Sequence, residues 1–364
     1  MAGSMKTVLD VTVCAHSRGG VGRWINGLSR GLSEISSEHI SIDIPETHPD
    51  TVCPVSGVLS VPPPLWMKIP FFRRFMIGSG KLEASREGRI AGAAGVPDVI
   101  HLSGVQPIGQ GRRKVVTFYD DTPWTDPGSH TEETLFYAAN LAQLVRNGAA
   151  VLAISRWAAE RAVATLGVSE GLTGVAGGAA EDIFTPGEPD IDFLCSLGIE
   201  PEKYFLHVGS FVPRKNIPFL LRCFAAADLS GKKLVLAGAE RWGMNIYSEL
   251  PANVVVAENV PDQGLLSLYR GAEAVLVPSK EEGLGLPVLE AFACGIPVIS
   301  SDGGALPETV GEHGKVLPVS SETDWIEAIR EGASSEMKAM AEEAERPTWR
   351  TVAENAMQFY RSLI

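Results

Sequence analysis

Residues 274–291 read AVLVPSKEEGLGLPVLEA, and this stretch decides the fold class of the sequence. An apolar run at 274–277 leads into a turn that contains Gly283 and Gly285, and a helix-compatible run begins at Leu286. Strand, glycine turn and helix in this order are typical of a parallel α/β unit. Glycine lets backbone N–H groups approach a ligand closely, and a helix N-terminus favours anions. The stretch therefore predicts a phosphate-binding turn.

Two carboxylates flank this turn. Glu282 lies just before the predicted helix, and Glu290 lies eight residues further on. Eight residues correspond to about 80° around a helix axis, so both side chains can lie along one side at different depths. One can reach a sugar and the other a ribose diol. The alternative is that Glu282 is only a capping carboxylate and Glu290 a solvated surface residue.

Two cations follow an earlier predicted strand. Residues 207–216 read HVGSFVPRKN, which places Arg214 and Lys215 between a strand end and a helix. A planar guanidinium and a compact ammonium together suit a diphosphate leaving group. A solvated surface pair is the alternative. Near the N-terminus, Gly19–Gly22 (GGVG) is a weaker signal of the same kind, because such turns are common between strands and helices.

Strands alternate with helices along the whole sequence, which predicts two Rossmann-like α/β domains with a ligand cleft between them. We predict an N-terminal domain at 1–187, a C-terminal domain at 188–346 and a last helix at 347–364, with a linker at 185–201. The predicted strands and helices lie at these positions: strands 8–14, 97–101, 114–118, 150–154, 204–208, 233–237, 253–257, 274–277 and 297–300; helices 217–227, 263–270, 286–294 and 349–363.

The bulk composition narrows the function. The chain has 364 residues and a formal net charge of −13, which argues against nucleic acid as a partner. Five scattered cysteines without a C-x-x-C pair are typical of reduced thiols in a cytosolic protein. No uncharged run reaches the roughly 20 residues of a membrane span. We expect a cytoplasmic protein.

The motifs resemble the retaining glycosyltransferases of family four, which have the GT-B fold. Glu282 to Glu290 is similar to that family's Glu–seven residues–Glu motif, within the longer match EGLGLPVLEAFACGIPVI at 282–299. The stretches SDGGALPE at 301–308 and GSFVPRKN at 209–216 match as well. The resemblance is looser at 19–24 (GGVGRW), at 178–186 and at 347–349 (PTW). It implies two Rossmann-like domains facing a central cleft, with the C-terminal helix crossing back to the N-domain.

The resemblance also implies roles for individual residues. Glu282 would bind hydroxyls of the donor sugar, Glu290 the ribose, and Arg214 with Lys215 the diphosphate. The remaining donor-site positions implied by the family are Gly20, Gly209, Val260 near the base, and the backbone of Leu284, Gly285 and Leu286. The implied reaction is retaining transfer of a sugar from a nucleotide diphosphate sugar, such as GDP-mannose or a UDP-sugar, to an acceptor hydroxyl. We expect no cofactor and no metal ion.

The N-terminal half departs from the family. Many members have an Arg where this chain has Ser210, and a His where it has Tyr119. We keep Asp120 and His101 as catalytic candidates there; a structural role at the strand end is the alternative for His101. The departures leave two other functions open, another GT-B enzyme such as a nucleotide-sugar epimerase, or a nucleotide-binding subunit without catalysis.

The acceptor is not identified by the sequence, and a glycan, a lipid-linked glycan and a small molecule all remain open. Residues 65–90 carry six basic and two acidic side chains between aromatic ones. This composition suits peripheral contact with an anionic membrane, on the inner face, or with a lipid-linked acceptor. Packing of the aromatic side chains on the N-domain core is the alternative. Asp190 and Asp192 look like a metal-binding D-x-D pair, but we interpret this spacing as chance.

Overall fold

A computed structural model describes residues 5–15, 19–43, 59–60, 96–102, 113–239 and 250–364. The chain divides into two compact units, Met1–Gly178 with Trp349–Ile364, and Ala179–Thr348. The functional roles of the two predicted domains stay predictions. The stretch at 65–90, with its predicted membrane or acceptor contact, lies outside the described residues.

The first unit contains a parallel sheet of seven strands in the order β3-β2-β1-β4-β5-β6-β7. The strands are β1 (Thr7–Asp10), β2 (His39–Asp43), β3 (Leu59–Ser60), β4 (Val99–Leu102), β5 (Arg113–Phe118), β6 (Ala150–Ala153) and β7 (Thr173–Val175). The helices between them are α1 (Gly20–Ile35), α2 (Thr122–Thr125), α3 (Glu132–Arg146) and α4 (Arg156–Leu166).

The strand predicted at 8–14 is too long. The chain leaves the sheet after Asp10, because the Asp10 Oδ1 atom accepts hydrogen bonds from the Thr12 backbone N–H (3.0 Å) and the Thr12 hydroxyl (2.6 Å). An aspartate that binds the backbone two residues on forms a tight turn. Residues Thr12–Ala15 accordingly form a 3-10 helix.

The second unit contains a parallel sheet of six strands in the order β10-β9-β8-β11-β12-β13. The strands are β8 (Tyr204–Val208), β9 (Lys233–Ala237), β10 (Val254–Ala257), β11 (Ala274–Val277), β12 (Val298–Ser301) and β13 (Lys315–Leu317). The helices are α5 (Ile191–Ser196), α6 (Ile217–Ala227), α7 (Asp262–Gly271), α8 (Leu286–Ala293), α9 (Leu306–Val310), α10 (Glu322–Glu331) and α11 (Ser335–Glu343).

Both faces of this second sheet are buried. Phe205 on β8 packs into one apolar layer, and its neighbour Leu206 packs into the other. Successive side chains of a strand point to opposite faces, so a parallel strand covered by helices on both sides is apolar throughout. The two Rossmann-like sheets confirm the predicted fold class.

The predicted linker at 185–201 is wrong in its second half. Asp190 caps α5, because its Oδ1 atom accepts the Phe193 N–H at 3.0 Å. Leu194 and Ile199 are then buried in the core of the second unit. The apparent D-x-D pair at 190–192 thus begins a helix, as a capping residue does.

The C-terminal helix α12 (Trp349–Ser362) belongs to the first unit and packs along α1, as predicted. Two glycines of α1 allow this close contact. A Cβ atom on Gly27 would lie 2.1 Å from the Trp349 ring, and one on Gly31 would lie 2.2 Å from the Trp349 carbonyl oxygen. Among the helices of the described residues, none is both long and apolar enough to cross a membrane.

The close contact of α1 and α12 makes a testable prediction. Gly31→Ala should lower the free energy of unfolding by about 1–3 kcal/mol, because the added methyl group overlaps backbone rather than a side chain that can move. In an unobstructed helix the same change would stabilise by up to about 1 kcal/mol. Gly171→Ala is the matched control, since an added Cβ there has no atom within 4 Å. Equal denaturant-unfolding midpoints for the two variants would contradict this packing.

Candidate active site

The predicted donor residues lie at the point where the order of strands in the second sheet reverses. Strands β8 and β11 are neighbours, with β9 and β10 on one side and β12 and β13 on the other. In open α/β sheets, the crevice outside the carboxyl ends of the strands at such a point is the usual ligand site. The segment 209–216 follows β8, and the segment 278–285 follows β11.

These two segments are joined by backbone and side-chain hydrogen bonds. The Lys280 N–H donates to the Arg214 carbonyl oxygen at 2.7 Å. The Asn216 side-chain amide donates to the Pro278 carbonyl oxygen at 3.2 Å. Asn216 has a φ of 58°, in the left-handed region that Asn tolerates better than most residues. The chain between β8 and α6 is therefore fixed against the loop that follows β11.

Glu282 forms the centre of the site. Its Oε1 atom accepts hydrogen bonds from the Lys215 ammonium and from the Ser279 hydroxyl, the latter at 2.7 Å. Its Oε2 atom accepts from Arg214 at 2.9 Å. Both Glu282 and Lys215 are only 7% exposed. The structure thus brings the three predicted residues, Arg214, Lys215 and Glu282, into direct contact.

The cations decide the charge state of Glu282. Burial alone would raise the pKa of this carboxyl, but the charges on Lys215 and Arg214 and their hydrogen bonds hold it well below its usual range. Glu282 is therefore ionised at neutral pH. Two cations and one carboxylate leave one net positive charge in this cluster, which favours an incoming anion.

The loop after β12 supports the Glu282 backbone. The Ala305 N–H donates to the Glu282 carbonyl oxygen at 2.8 Å, and the Ser301 hydroxyl donates to the Ser279 carbonyl oxygen. Gly304 has a φ of +66°, and a Cβ atom there would lie 2.3 Å from the Glu282 carbonyl oxygen. This close contact explains the glycines of the SDGG sequence at 301–304.

Glu290 is not a surface residue. It lies on α8, is 2% exposed, and accepts a hydrogen bond from the Tyr269 hydroxyl at 2.6 Å. The structure therefore argues against the solvated alternative that the sequence left open for this position.

Two of the other predicted donor positions, Gly209 and Gly285, lie in the same two segments. Gly209 follows β8 with a φ of +152°, and a Cβ atom there would lie 3.3 Å from Lys215. Gly285 immediately precedes α8 and has a φ of +93°. It lies between Leu284, which is buried, and Leu286, which is the first residue of α8. Val260 packs at the edge of the apolar core, just before α7. Gly20 is the first residue of α1 in the other unit.

The two catalytic candidates of the first unit have different surroundings. Both ring nitrogens of His101 are engaged, Nδ1 with the Tyr360 hydroxyl (2.6 Å) and Nε2 with the Thr117 hydroxyl (2.8 Å). Burial lowers the pKa of His101 to about 3. These contacts favour a structural role that ties β4 to α12.

The Asp120 Oδ1 atom accepts hydrogen bonds from the Thr122 hydroxyl at 2.5 Å and from its N–H at 3.1 Å, which orients the carboxylate just beyond β5.

Tyr119 does not replace the histidine that the family often has at this position. Its ring packs edge-to-face on Trp24, with 6.1 Å between the centroids. Burial raises the pKa of Tyr119 well above its ordinary value, so the phenol stays protonated at neutral pH and cannot act as a base.

Sequence reasoning missed three residues of the site. Ser279 and Tyr269 bind the two carboxylates directly. His207 lies beneath the cluster, with its Nδ1 atom 2.9 Å from the Leu276 carbonyl oxygen. Burial lowers the pKa of His207 to about 4. Only Ser279 gave a local signal, a hydroxyl three residues before the carboxylate that it binds.

Comparison with known families gives a match within the second unit. Residues 196–347 match the family model described as glycosyl transferases group 1. The second unit is therefore similar to group 1 glycosyltransferases over most of its length. The predicted resemblance is thereby confirmed for the unit that holds Glu282 and its partners.

Relatives of known annotation match only part of this chain. The O-antigen chain mannosyltransferase B of Escherichia coli is 28% identical over 216 residues, which cover 56% of this chain and 57% of that protein. The chain spans about half the length of the curated relatives it matches.

Solved structures match the fold over nearly the whole chain. A sucrose-phosphate synthase from Thermosynechococcus elongatus has a TM-score of 0.71 at 19% identity, covering 99% of both chains. HepE from Anabaena, solved with UDP and glucose, has a TM-score of 0.70 at 16% identity, covering 98% of this chain and 100% of that one. These similarities support the GT-B architecture.

The buried ion pair of Lys215 and Glu282 in the second unit gives a stability prediction. Lys215→Met should lower the free energy of unfolding by about 3 kcal/mol, because it leaves Glu282 buried with less compensating charge. Lys315→Met is the control, because its ion pair with Glu331 (3.0 Å) is exposed and should contribute less than about 1 kcal/mol. Adding Glu282→Gln to Lys215→Met should recover part of the loss. Equal urea midpoints for Lys215→Met and Lys315→Met would contradict the prediction.

Proposed function

We propose that this protein transfers a sugar from a nucleotide diphosphate sugar to an acceptor hydroxyl, with retention of the anomeric configuration. One observation carries the proposal: Arg214, Lys215 and Glu282 form a single ion-paired cluster at the strand-order reversal of a unit that matches group 1 glycosyltransferases. The donor classes that we favour are GDP-mannose and UDP-sugars. A mannosyltransferase among the relatives and HepE with UDP and glucose among the structural neighbours support this choice.

The diphosphate would compete with Glu282 for the cations. Arg214 can offer a planar pair of N–H groups to phosphate oxygens, and Lys215 a point charge. In the structure these donors contact Glu282. When a diphosphate takes these donors, the Glu282 carboxylate gains free acceptor sites for the hydroxyls of the sugar. Sugar binding at Glu282 is thus coupled to phosphate binding.

We also propose contacts for the ribose, the base and the phosphates of the donor. Glu290 would accept the ribose hydroxyls, and the base would lie near 258–261, which includes Val260. The backbone from Leu284 to Leu286 precedes and opens α8, where N–H groups lack partners within the helix and favour phosphate. Gly209 leaves space beside Lys215.

The charge on the departing diphosphate needs compensation in the transition state. Arg214, Lys215 and the helix N-terminus can supply it, so we propose a metal-independent reaction. The transition state would be oxocarbenium-like, with the acceptor hydroxyl arriving on the face from which the phosphate leaves.

The acceptor would bind to the first unit, where Asp120 is the candidate for contacting its hydroxyl. Asp120 is held by Thr122 through its Oδ1 atom, and a carboxylate has further lone pairs on its other oxygen. For a lipid-linked acceptor, we propose that the protein is cytoplasmic and contacts the membrane peripherally through residues 65–90. A glycan or a small molecule remains an equally open acceptor class.

Two variants test the assignment of the two carboxylates. Glu282→Gln should lower turnover by 100-fold or more, since removing one group that stabilises the transition state costs about 2.7–4 kcal/mol. Its affinity for UDP or GDP should be unchanged or tighter, because the cations lose their competitor. Glu290→Gln should instead weaken nucleotide binding. Turnover is measured as transfer or donor hydrolysis, and affinity by calorimetry.

The same assays contain their controls. Lys315→Met should match wild type in both measurements. Addition of EDTA should leave turnover unchanged. Loss of turnover in EDTA would contradict the metal-independent mechanism. Nucleotide binding by Glu290→Gln that equals wild type would contradict the ribose assignment. Epimerised donor without transfer would favour an epimerase, and binding without turnover would favour a subunit that lacks catalysis.

A further inference from the structure

Tyr269 lies outside the family motifs described above, and it forms a buried hydrogen bond with Glu290. Tyr269 is 0% exposed near the end of α7, and its hydroxyl donates to the Glu290 Oε2 atom at 2.6 Å. A phenol that donates to a carboxylate makes a charge-assisted bond, which is short and strong. The last torsion of a glutamate side chain is otherwise broad. The hydroxyl therefore restricts the orientation of the Glu290 carboxylate.

The ring of Tyr269 is itself held in place. Phe184 packs edge-to-face on it, with 5.4 Å between the ring centroids and 85° between the ring planes. The next residue, Arg270, donates to the Thr185 carbonyl oxygen at 2.9 Å and to the Thr185 hydroxyl at 3.0 Å. It also donates to the Pro186 and Glu188 carbonyl oxygens, both within 3.3 Å. The segment 184–188 is thus fastened to the end of α7 and keeps Phe184 against Tyr269.

We propose that Tyr269 is a positioning residue that makes the donor site selective for ribose over deoxyribose. The inference rests on the proposed function of Glu290 as the ribose-binding carboxylate. A carboxylate has about four lone-pair sites on its two oxygens, so it can accept from a phenol and from a diol at the same time. Two adjacent hydroxyls can be bound together only if the carboxylate plane is fixed. Loss of the Tyr269 hydroxyl removes one fixed donor from the carboxylate, so its plane is less well defined and the second ribose hydroxyl contributes less.

The test compares ribonucleotides with their 2′-deoxy counterparts in the full-length chain. Tyr269→Phe removes one hydroxyl and keeps the ring. Tyr204→Phe is the matched control, because Tyr204 is equally buried in the same core and its hydroxyl donates to the Leu268 carbonyl oxygen at 2.7 Å. Dissociation constants are measured by calorimetry for GDP, UDP, 2′-deoxy-GDP and 2′-deoxy-UDP.

Tyr269→Phe should bind the ribonucleotide about tenfold more weakly than wild type and bind the deoxynucleotide nearly as well. Tyr204→Phe should bind both as wild type does. Phe184→Leu, which keeps the hydroxyl but loosens the ring, should show the same selective loss to a smaller degree. Phe184→Leu therefore tests the positioning role of Tyr269 even if the Tyr269→Phe variant does not fold.

Three outcomes would contradict the inference, and each has a different consequence for the role of Tyr269 and for the ribose assignment of Glu290. An equal loss for ribonucleotide and deoxynucleotide in both site variants would mean that Tyr269 only supports the fold, and the inference would be overturned. Wild-type selectivity that survives in Tyr269→Phe but is lost in Glu290→Gln would overturn this inference and leave the proposed function intact. No ribose selectivity in wild type would overturn the ribose assignment of Glu290, and this inference with it.

Discussion

The ion pairs of the buried Glu282 carboxylate are the interaction on which the rest of the second unit depends. A carboxylate this buried is stable only with compensating charge and hydrogen bonds, which Lys215, Arg214 and Ser279 provide. The two cations follow β8, whereas the carboxylate follows β11. Their contact therefore fixes two loops that are far apart in sequence. The carboxyl ends of the two strands are thereby held together at the proposed diphosphate site.

Small residues around this cluster make the close contacts possible. Gly304 lies so near the Glu282 backbone that no side chain fits, and Gly209 leaves space beside Lys215. Ser301 and Ala305 then bind the backbone of the same loop. The rigidity of the site thus comes from neighbouring strands of one sheet. A preorganised arrangement of this kind stabilises charge without reorganisation during the reaction.

The sequence predicted the second unit well because its strands are buried on both faces. Runs such as 204–208 and 274–277 are continuous and apolar, and the structure has strands at those residues. Strand β13 was missed, because a strand of three residues that begins with Lys315 shows no such run. Helix α5 was also missed, because it lies within the predicted linker and is too short to show a clear periodicity.

Individual site residues were predictable where a motif or a charge marked them. Arg214, Lys215 and Glu282 were expected at one site, and their direct contact could be found only in the structure. Tyr269 gave no signal, since its role depends on packing between α7 and α8. His101 was expected at a strand end, but its hydrogen bond to Tyr360 joins residues that are 259 positions apart in the sequence. No local pattern encodes such a contact.

The central claim is that Arg214 and Lys215 form a diphosphate receptor that Glu282 occupies in the absence of ligand. Calorimetric titration of wild-type protein with GDP, GMP, UDP and UMP tests it most directly. The account predicts that a diphosphate binds at least tenfold more tightly than the matching monophosphate, and that added salt reduces this difference. Equal affinities for diphosphate and monophosphate at low salt, with both bases, would contradict the account.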